Sequence, residues 1–140
     1  MHMSAILASG VDTVFRAAEQ WLMPEEPMPP FKIRNDFDRR RQVSTKIQMT
    51  YSDRVGVVVI TKDVGEHPIP YVVGREMTVA KFLHKMREQA LNHVRGSDAL
   101  FLMVDNVLCS PSTSLGNLYD AKHDSDGFLY VTLSKESTFG

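Results

Sequence analysis

Apolar residues recur along this chain in two periods, and the switches between them mark its elements. Near the start, Val11, Val14, Phe15, Ala18, Trp21 and Leu22 fall at helical spacing with Ser9 as an N-cap, which predicts a short amphipathic helix. Pro24, Pro27, Pro29 and Pro30 then remove backbone donors and force extended conformations, so this stretch reads as a linker. A polar, basic helix is predicted from Asp36 to about Met49, with Val43, Ile47 and Tyr51 on one side and Arg39, Arg40, Arg41 and Lys46 around the rest. Val55 to Thr61 is rich in β-branched residues and too short for a buried helix; it reads as a strand. Gly65, Pro68 and Pro70 break the chain before Tyr71-Val72-Val73, whose proline-flanked start suits a sheet edge.

The clearest helix follows. Thr78 is a good N-cap, Val79, Phe82, Leu83, Met86 and Ala90 share one face, and Gly96 marks a stop. Leu100 to Val104 is a buried-strand pattern ending at an Asp105-Asn106 turn, and Ser110-Pro111 offers an N-cap and first helical residue for a short helix through Leu118 and Tyr119. Asp126-Gly127 turns the chain into a last strand, Phe128 to Leu133. Strand, strand, long helix, strand, short helix, strand is the order of an α+β ubiquitin-like β-grasp, a mixed four-stranded sheet on one main helix; other α+β orders share it. Residues 1–30 read as an N-terminal extension and residues 31–140 as one domain.

Composition narrows the class. The chain has 140 residues, 43% hydrophobic and 24% charged, with a formal net charge of −1, which excludes a fibrous or supercharged protein and gives no global pull toward nucleic acid. Apolar runs such as Val57–Ile60 and Ala99–Val104 are far shorter than the ~20 residues that span a bilayer. With Cys109 as the one cysteine and no basic-then-apolar opening segment, a reducing cytoplasmic setting is expected.

Candidate chemistry is sparse. Cys109 sits between Leu108 and Ser110-Pro111 with no nucleophile signature, and a small, partly buried side chain accounts for it. No two of His2, His67, His84, His93 and His123 have the i, i+4 spacing of a helical zinc site, so no metal is expected. Asp124-Ser125-Asp126-Gly127 resembles half a calcium loop, but the first ligand position falls on Lys122, so it reads as a turn. No phosphate-cradling glycine loop occurs, no cofactor is implied, and an enzyme is disfavoured. The basic cluster Lys32, Arg34, Arg39–Arg41, Lys46 and Arg54 reads as a solvated helix face or as a docking face for an acidic peptide; without RNA-binding aromatics, no nucleic-acid partner is expected.

The segment DGFLYVTLSKESTFG at the end closely resembles the C-terminus of the autophagy ubiquitin-like modifiers, the family of GABARAP, microtubule-associated light chain three and autophagy-related protein eight. FKIRNDFDRRR, YSDRVGVVV, YVVGREMTVAKF and ALFLMV resemble it too, so the likeness is collinear over residues 31–140. It implies a β-grasp domain preceded by N-terminal helices and a modifier whose Gly140 is coupled to phosphatidylethanolamine through activating and conjugating enzymes. Attachment to autophagosomal membranes would then be conditional on conjugation. A glycine lacks a Cβ, so a thin tail threads into the catalytic clefts of those enzymes.

The resemblance also implies a groove that captures aromatic-x-x-aliphatic peptides of cargo receptors by adding a strand to a sheet edge. Ile47, Val58, Val72 and Phe128, with Arg54 beside them, match the aromatic pocket; Tyr71, Val73, Met77 and Phe82 match the aliphatic one. Each apolar member equally suits a core face. The chain departs from the family where Gly56 and Gly74 replace prolines, Val43 replaces an acid, and His67-Pro68-Ile69-Pro70 replaces a basic segment. Two other readings stay open: a protein-conjugated modifier of the autophagy-related protein twelve type, and a non-conjugated β-grasp adaptor.

Overall fold

The computed structural model of the protein describes residues 30–61, 70–89 and 98–136. The amphipathic segment 11–22, the stop at Gly96, most of His67–Pro70 and the terminal Gly140 lie outside the described residues. In chain order the elements are α1 (Pro30–Arg34), α2 (Phe37–Thr50), β1 (Arg54–Thr61), β2 (Pro70–Gly74), α3 (Val79–Gln89), β3 (Ala99–Val104), β4 (Val107–Leu108), α4 (Leu115–Lys122) and β5 (Leu129–Glu136). They build one mixed sheet of order β2-β1-β5-β3-β4, in which β1 and β5 run parallel and the other neighbours antiparallel.

The central strands bury both faces, which is why β1 reads as an almost continuous apolar run instead of an alternation. On one face Val55, Val57 and Val59 join Leu129, Val131 and Leu133 beneath Val79, Phe82 and Met86 of α3 and Leu115 and Tyr119 of α4. On the other, Val58 and Phe128 pack with Phe31, Val43 and Ile47 under α1 and α2. Each large side chain so buried is worth about 1.5–3 kcal/mol relative to exposure.

Besides α1, which begins at Pro30 where the sequence reads an extended linker because proline's fixed φ also suits a first helical position, three features depart from the pattern reading. The sheet has five strands, because Asp105 and Asn106 both adopt positive φ (52° and 63°) and fold the chain straight back so that Val107 pairs with Val104. Two residues are too few to leave a period, so β4 has no signature of its own. The cap of α4 is Ser114, whose Oγ accepts from the Asn117 amide at 3.2 Å, and not Ser110. Ser110-Pro111 forms a turn instead, and the carbonyls of Pro111 and Thr113 accept from the free amides of Ala80 and Val79 at 3.0 and 2.9 Å. Reciprocally, the carbonyls of Met77 and Arg75 accept from Leu115 and Gly116 at 2.8 and 2.9 Å, so the two helices cap each other through their entry loops.

The third departure is Arg40. Successive helical residues point about 100° apart, and of the run Arg39–Arg41 the middle one turns inward. Its Nε donates to Asp126 Oδ2 at 2.8 Å and its guanidinium also reaches the Asn35 carbonyl at 2.8 Å. Asp126 is wholly buried; its other oxygen accepts from the Phe128 amide at 2.9 Å, and Tyr130 donates its hydroxyl to Oδ2 at 2.6 Å. Burial, then the bond to Asp126, pushes the Tyr130 phenol far above its ordinary range, which keeps it a donor. Tyr51, expected on the apolar side of α2, is its C-cap and lies at the surface. Asp124–Gly127 is the turn that the sequence suggests, with Gly127 at φ +92° and so close to Ser44 that a Cβ would clash with its hydroxyl oxygen.

Replacing Arg40 by Ala strands a buried carboxylate, and the expected cost is about 3–5 kcal/mol, read as a lower urea midpoint. Asp124 gives an acid-range prediction. Burial opposes its ionisation, but the Asp126 amide and the Lys32 ammonium, 3.0 Å away, outweigh this and hold the carboxyl below its ordinary value. A depressed folded value stabilises the protein above the unfolded value, and that contribution is lost as pH falls below about 4. Asp124→Asn is expected to flatten this part of the stability-against-pH curve, measured by thermal unfolding.

Candidate functional site

β2 is an edge strand. It pairs with β1 over Arg54↔Gly74 to Val58↔Pro70, and among the described residues no strand covers its other side. Its backbone amides and carbonyls there are a template for an added strand. The period of two sends Val72 toward the cluster under α2 and Tyr71 and Val73 toward the cluster under α3, so one short strand serves both faces.

Beside this edge lies a pocket of about 330 Å³ between β2 and α3. Tyr71, Val73, Met77 and Phe82, the residues assigned to an aliphatic pocket, all line it. Val73 and Phe82 form its buried floor, whereas Tyr71 and Met77 are partly exposed. Burial raises the Tyr71 phenol further above its ordinary range, so the ring presents a neutral hydroxyl at neutral pH. Arg54 and Val72, assigned to the aromatic pocket, also line this same cavity. The Arg54 guanidinium lies 4.9 Å from the centre of the Tyr51 ring, a cation–π seat that holds it at the rim.

The rest of the aromatic set is elsewhere. Ile47, Val58 and Phe128 are 1%, 1% and 0% exposed and form the small core between the sheet and α2. The Phe128 ring lies directly over Gly56: a Cβ at position 56 would sit 2.7 Å from two of its ring carbons. Phe31 meets the same ring edge-on with centroids 5.1 Å apart, so it is enclosed from both sides. Val43 belongs to this core as well. Gly74 is different, since a Cβ there would meet nothing within 4 Å.

The sequence reading missed Lys85, which lines the pocket one helical turn after Phe82. The signal for it is the i, i+3 spacing from Phe82 on α3, which a hydrophobic pattern does not register because Lys85 is charged. Of the basic cluster, Lys32 is paired with Asp124 and Arg40 with Asp126, and Arg54 is the member that lines the pocket.

The family model described as "Autophagy protein Atg8 ubiquitin like" matches residues 39–140. Among curated proteins the chain is 36% identical over 114 residues to "Autophagy-related protein 8e" of Arabidopsis thaliana, covering 79% of this chain and 92% of that protein. It is 33% identical to "Autophagy-related protein 8" of Dictyostelium discoideum, covering 79% and 93%. Among solved structures it resembles Trypanosoma brucei ATG8 (TM-score 0.70, 26% identity, 79% of this chain and 97% of that one). It also resembles Plasmodium falciparum Atg8 in complex with a Plasmodium falciparum Atg3 peptide (TM-score 0.65, 26% identity, 79% and 98%).

The two exchanged glycines are expected to behave differently. Gly56→Ala forces the Phe128 ring out of a packed core and costs about 1–3 kcal/mol, whereas Gly74→Ala stays within about 0.5 kcal/mol. Chemical denaturation of the two variants measures the contrast.

Proposed function

The chain belongs to the Atg8 family of ubiquitin-like autophagy proteins, and from that premise we propose that it is a modifier conjugated through Gly140 to phosphatidylethanolamine and recruited to partners through the groove at β2. The observation that carries the conjugation reading is that the family match runs through Gly140 itself. The chemistry makes the protein a substrate. An activating enzyme joins the Gly140 carboxylate to the adenylyl group of ATP, releasing pyrophosphate. An enzyme cysteine displaces AMP to form a thioester, which passes to a conjugating enzyme. The lipid amine then attacks the thioester carbonyl, forming an amide and releasing the thiol.

Among the described residues no helix is long and apolar enough to cross a membrane. In this reading the acyl chains of the lipid supply the anchor, at about 0.8 kcal/mol per buried methylene, and a cytoplasmic protein becomes membrane-bound on conjugation.

The open edge of β2 and the apolar pocket beside it support capture of an extended peptide, backbone bonds giving affinity and the pocket giving selectivity. A structural relative in complex with an Atg3 peptide supports peptide binding by this fold, and cargo-receptor peptides are proposed as further occupants on the geometry of the edge and pocket alone.

Intact-mass measurement of protein recovered from membranes of starved source cells tests the conjugation. A mass increase of one phosphatidylethanolamine is expected, absent in Gly140→Ala. A protein-sized adduct identifies an isopeptide-linked modifier instead, and an unmodified chain in a membrane fraction where autophagosomes form removes the conjugation reading and favours an adaptor.

A further inference from the structure

We propose that residues 11–22 form an amphipathic helix that packs on the outer face of α2 in the same chain. The proposal uses neither the conjugation reading nor the groove at β2. On a helix turning about 100° per residue, Val11, Val14, Phe15, Ala18, Trp21 and Leu22 fall within about 120° of one another, with Asp12 and Glu19 together along one flank. A stripe of that width carrying Phe15 and Trp21 is a packing face, and in water it needs a partner surface.

Helix α2 supplies that surface. Its inner face, Arg40, Val43, Ser44 and Ile47, is committed to the sheet. Its outer face carries a ridge at i, i+4 spacing, Phe37, Arg41, Thr45 and Met49, and the apolar ends of the ridge are exposed, Phe37 by 44% and Met49 by 83%. A shallow hollow of about 610 Å³ runs beside the ridge, lined among the described residues by α2 side chains alone. Arg41 and Lys46 border it, and neither forms an ion pair with a described carboxylate. Arg39, on the Lys46 side of the helix, has its Nη2 shielded from water without a hydrogen-bond acceptor, a donor that a carboxylate of the segment would satisfy. Residues 1–29 carry Asp12, Glu19, Glu25 and Glu26 against Arg16, so the two surfaces are complementary in charge.

The tether has the required reach. From Leu22 to Pro30 the chain can span at most about 29 Å. The 14 residues of α2 run about 21 Å and residues 11–22 as a helix about 18 Å, so the two match in length. Pro30 opens α1, whose Phe31 lies in the core under α2, and this anchors the tether beside its docking face. The open edge of β2 is a poorer seat, because an edge accepts an extended strand and a helix has no free backbone groups to offer it.

Trp21 is the one tryptophan of the chain, which makes a direct test available. In the full chain with Cys109→Ser, a nitroxide label is attached to Met49→Cys on α2 or to Val107→Cys on β4, both exposed positions. Nitroxides quench indole fluorescence only at close range. The label at 49 is expected to quench Trp21 strongly and the label at 107 hardly at all, and a label on Gln42→Cys repeats the measurement from the rim of the hollow. Unlabelled, Trp21 is expected to emit to the blue of the urea-unfolded chain. The double variant Lys46→Glu, Met49→Glu is expected to return that emission to the red without changing the circular dichroism of the domain, since both side chains lie at the surface. Emission that matches the unfolded chain overturns the docking. A blue-shifted Trp21 that labels at 42 and 49 both leave unquenched places the segment elsewhere and overturns it as well. Quenching that disappears on dilution assigns the contact to a second copy and overturns the intramolecular packing.

Discussion

The Asp126 carboxylate is the constraint on which one whole face of the protein depends. It is wholly buried, and a buried charge is tolerable only when its lone pairs are filled. Here the fillers come from three places: Arg40 on α2, the Phe128 amide at the entrance of β5, and the Tyr130 hydroxyl on β5 itself. Ser44 adds a bond from α2 to the Asp126 carbonyl. Helix α2 is thereby held to the sheet by polar bonds in addition to its small apolar core, whereas the opposite face relies on a larger apolar cluster. The same bonds aim Phe128 inward, into the core under α2.

Reciprocal capping of α3 and α4 is the second constraint. Each helix leaves amide groups unpaired at its start, and each entry loop supplies carbonyls to the other helix. Gly116 allows this because a Cβ there would lie 2.8 Å from the Arg75 carbonyl oxygen. Arg75 also reaches across to Asp120 and the Gly116 carbonyl, reinforcing the junction. Met77, on the wall of the pocket, belongs to this braced loop, so the cavity between β2 and α3 has a fixed rim as well as a packed floor.

Much of this architecture was legible beforehand because local periods carry it. The β-branched run of β1, the helical face of α3 from Val79 to Met86 and the turn at Asp105-Asn106 are properties of neighbours in sequence. The residues assigned to the aliphatic pocket from the family likeness do meet around one cavity. What eluded the reading was non-local. Ser110-Pro111 has the local chemistry of a helix start, but Ala80 and Val79 claim the carbonyls of that loop, and the helix begins at the Ser114 cap. Arg40 is one of three consecutive arginines, and nothing in the run itself names the acid, 86 positions away, that draws it inward.

By itself, then, the sequence determined the longer elements, their order, the family likeness and the glycine proposed for conjugation, since each follows from residue type and short-range spacing, whereas the short α1 and β4 left no pattern of their own. Only the tertiary structure decided which apolar residues remain available to a partner. Ile47, Val58 and Phe128 look like Tyr71 and Met77 in any hydrophobic pattern. Their different exposure follows from α1 and α2 folding over one face of the sheet and from the missing side chain at Gly56. Burial is a property of neighbours in space, supplied by parts of the chain that a linear pattern cannot bring together.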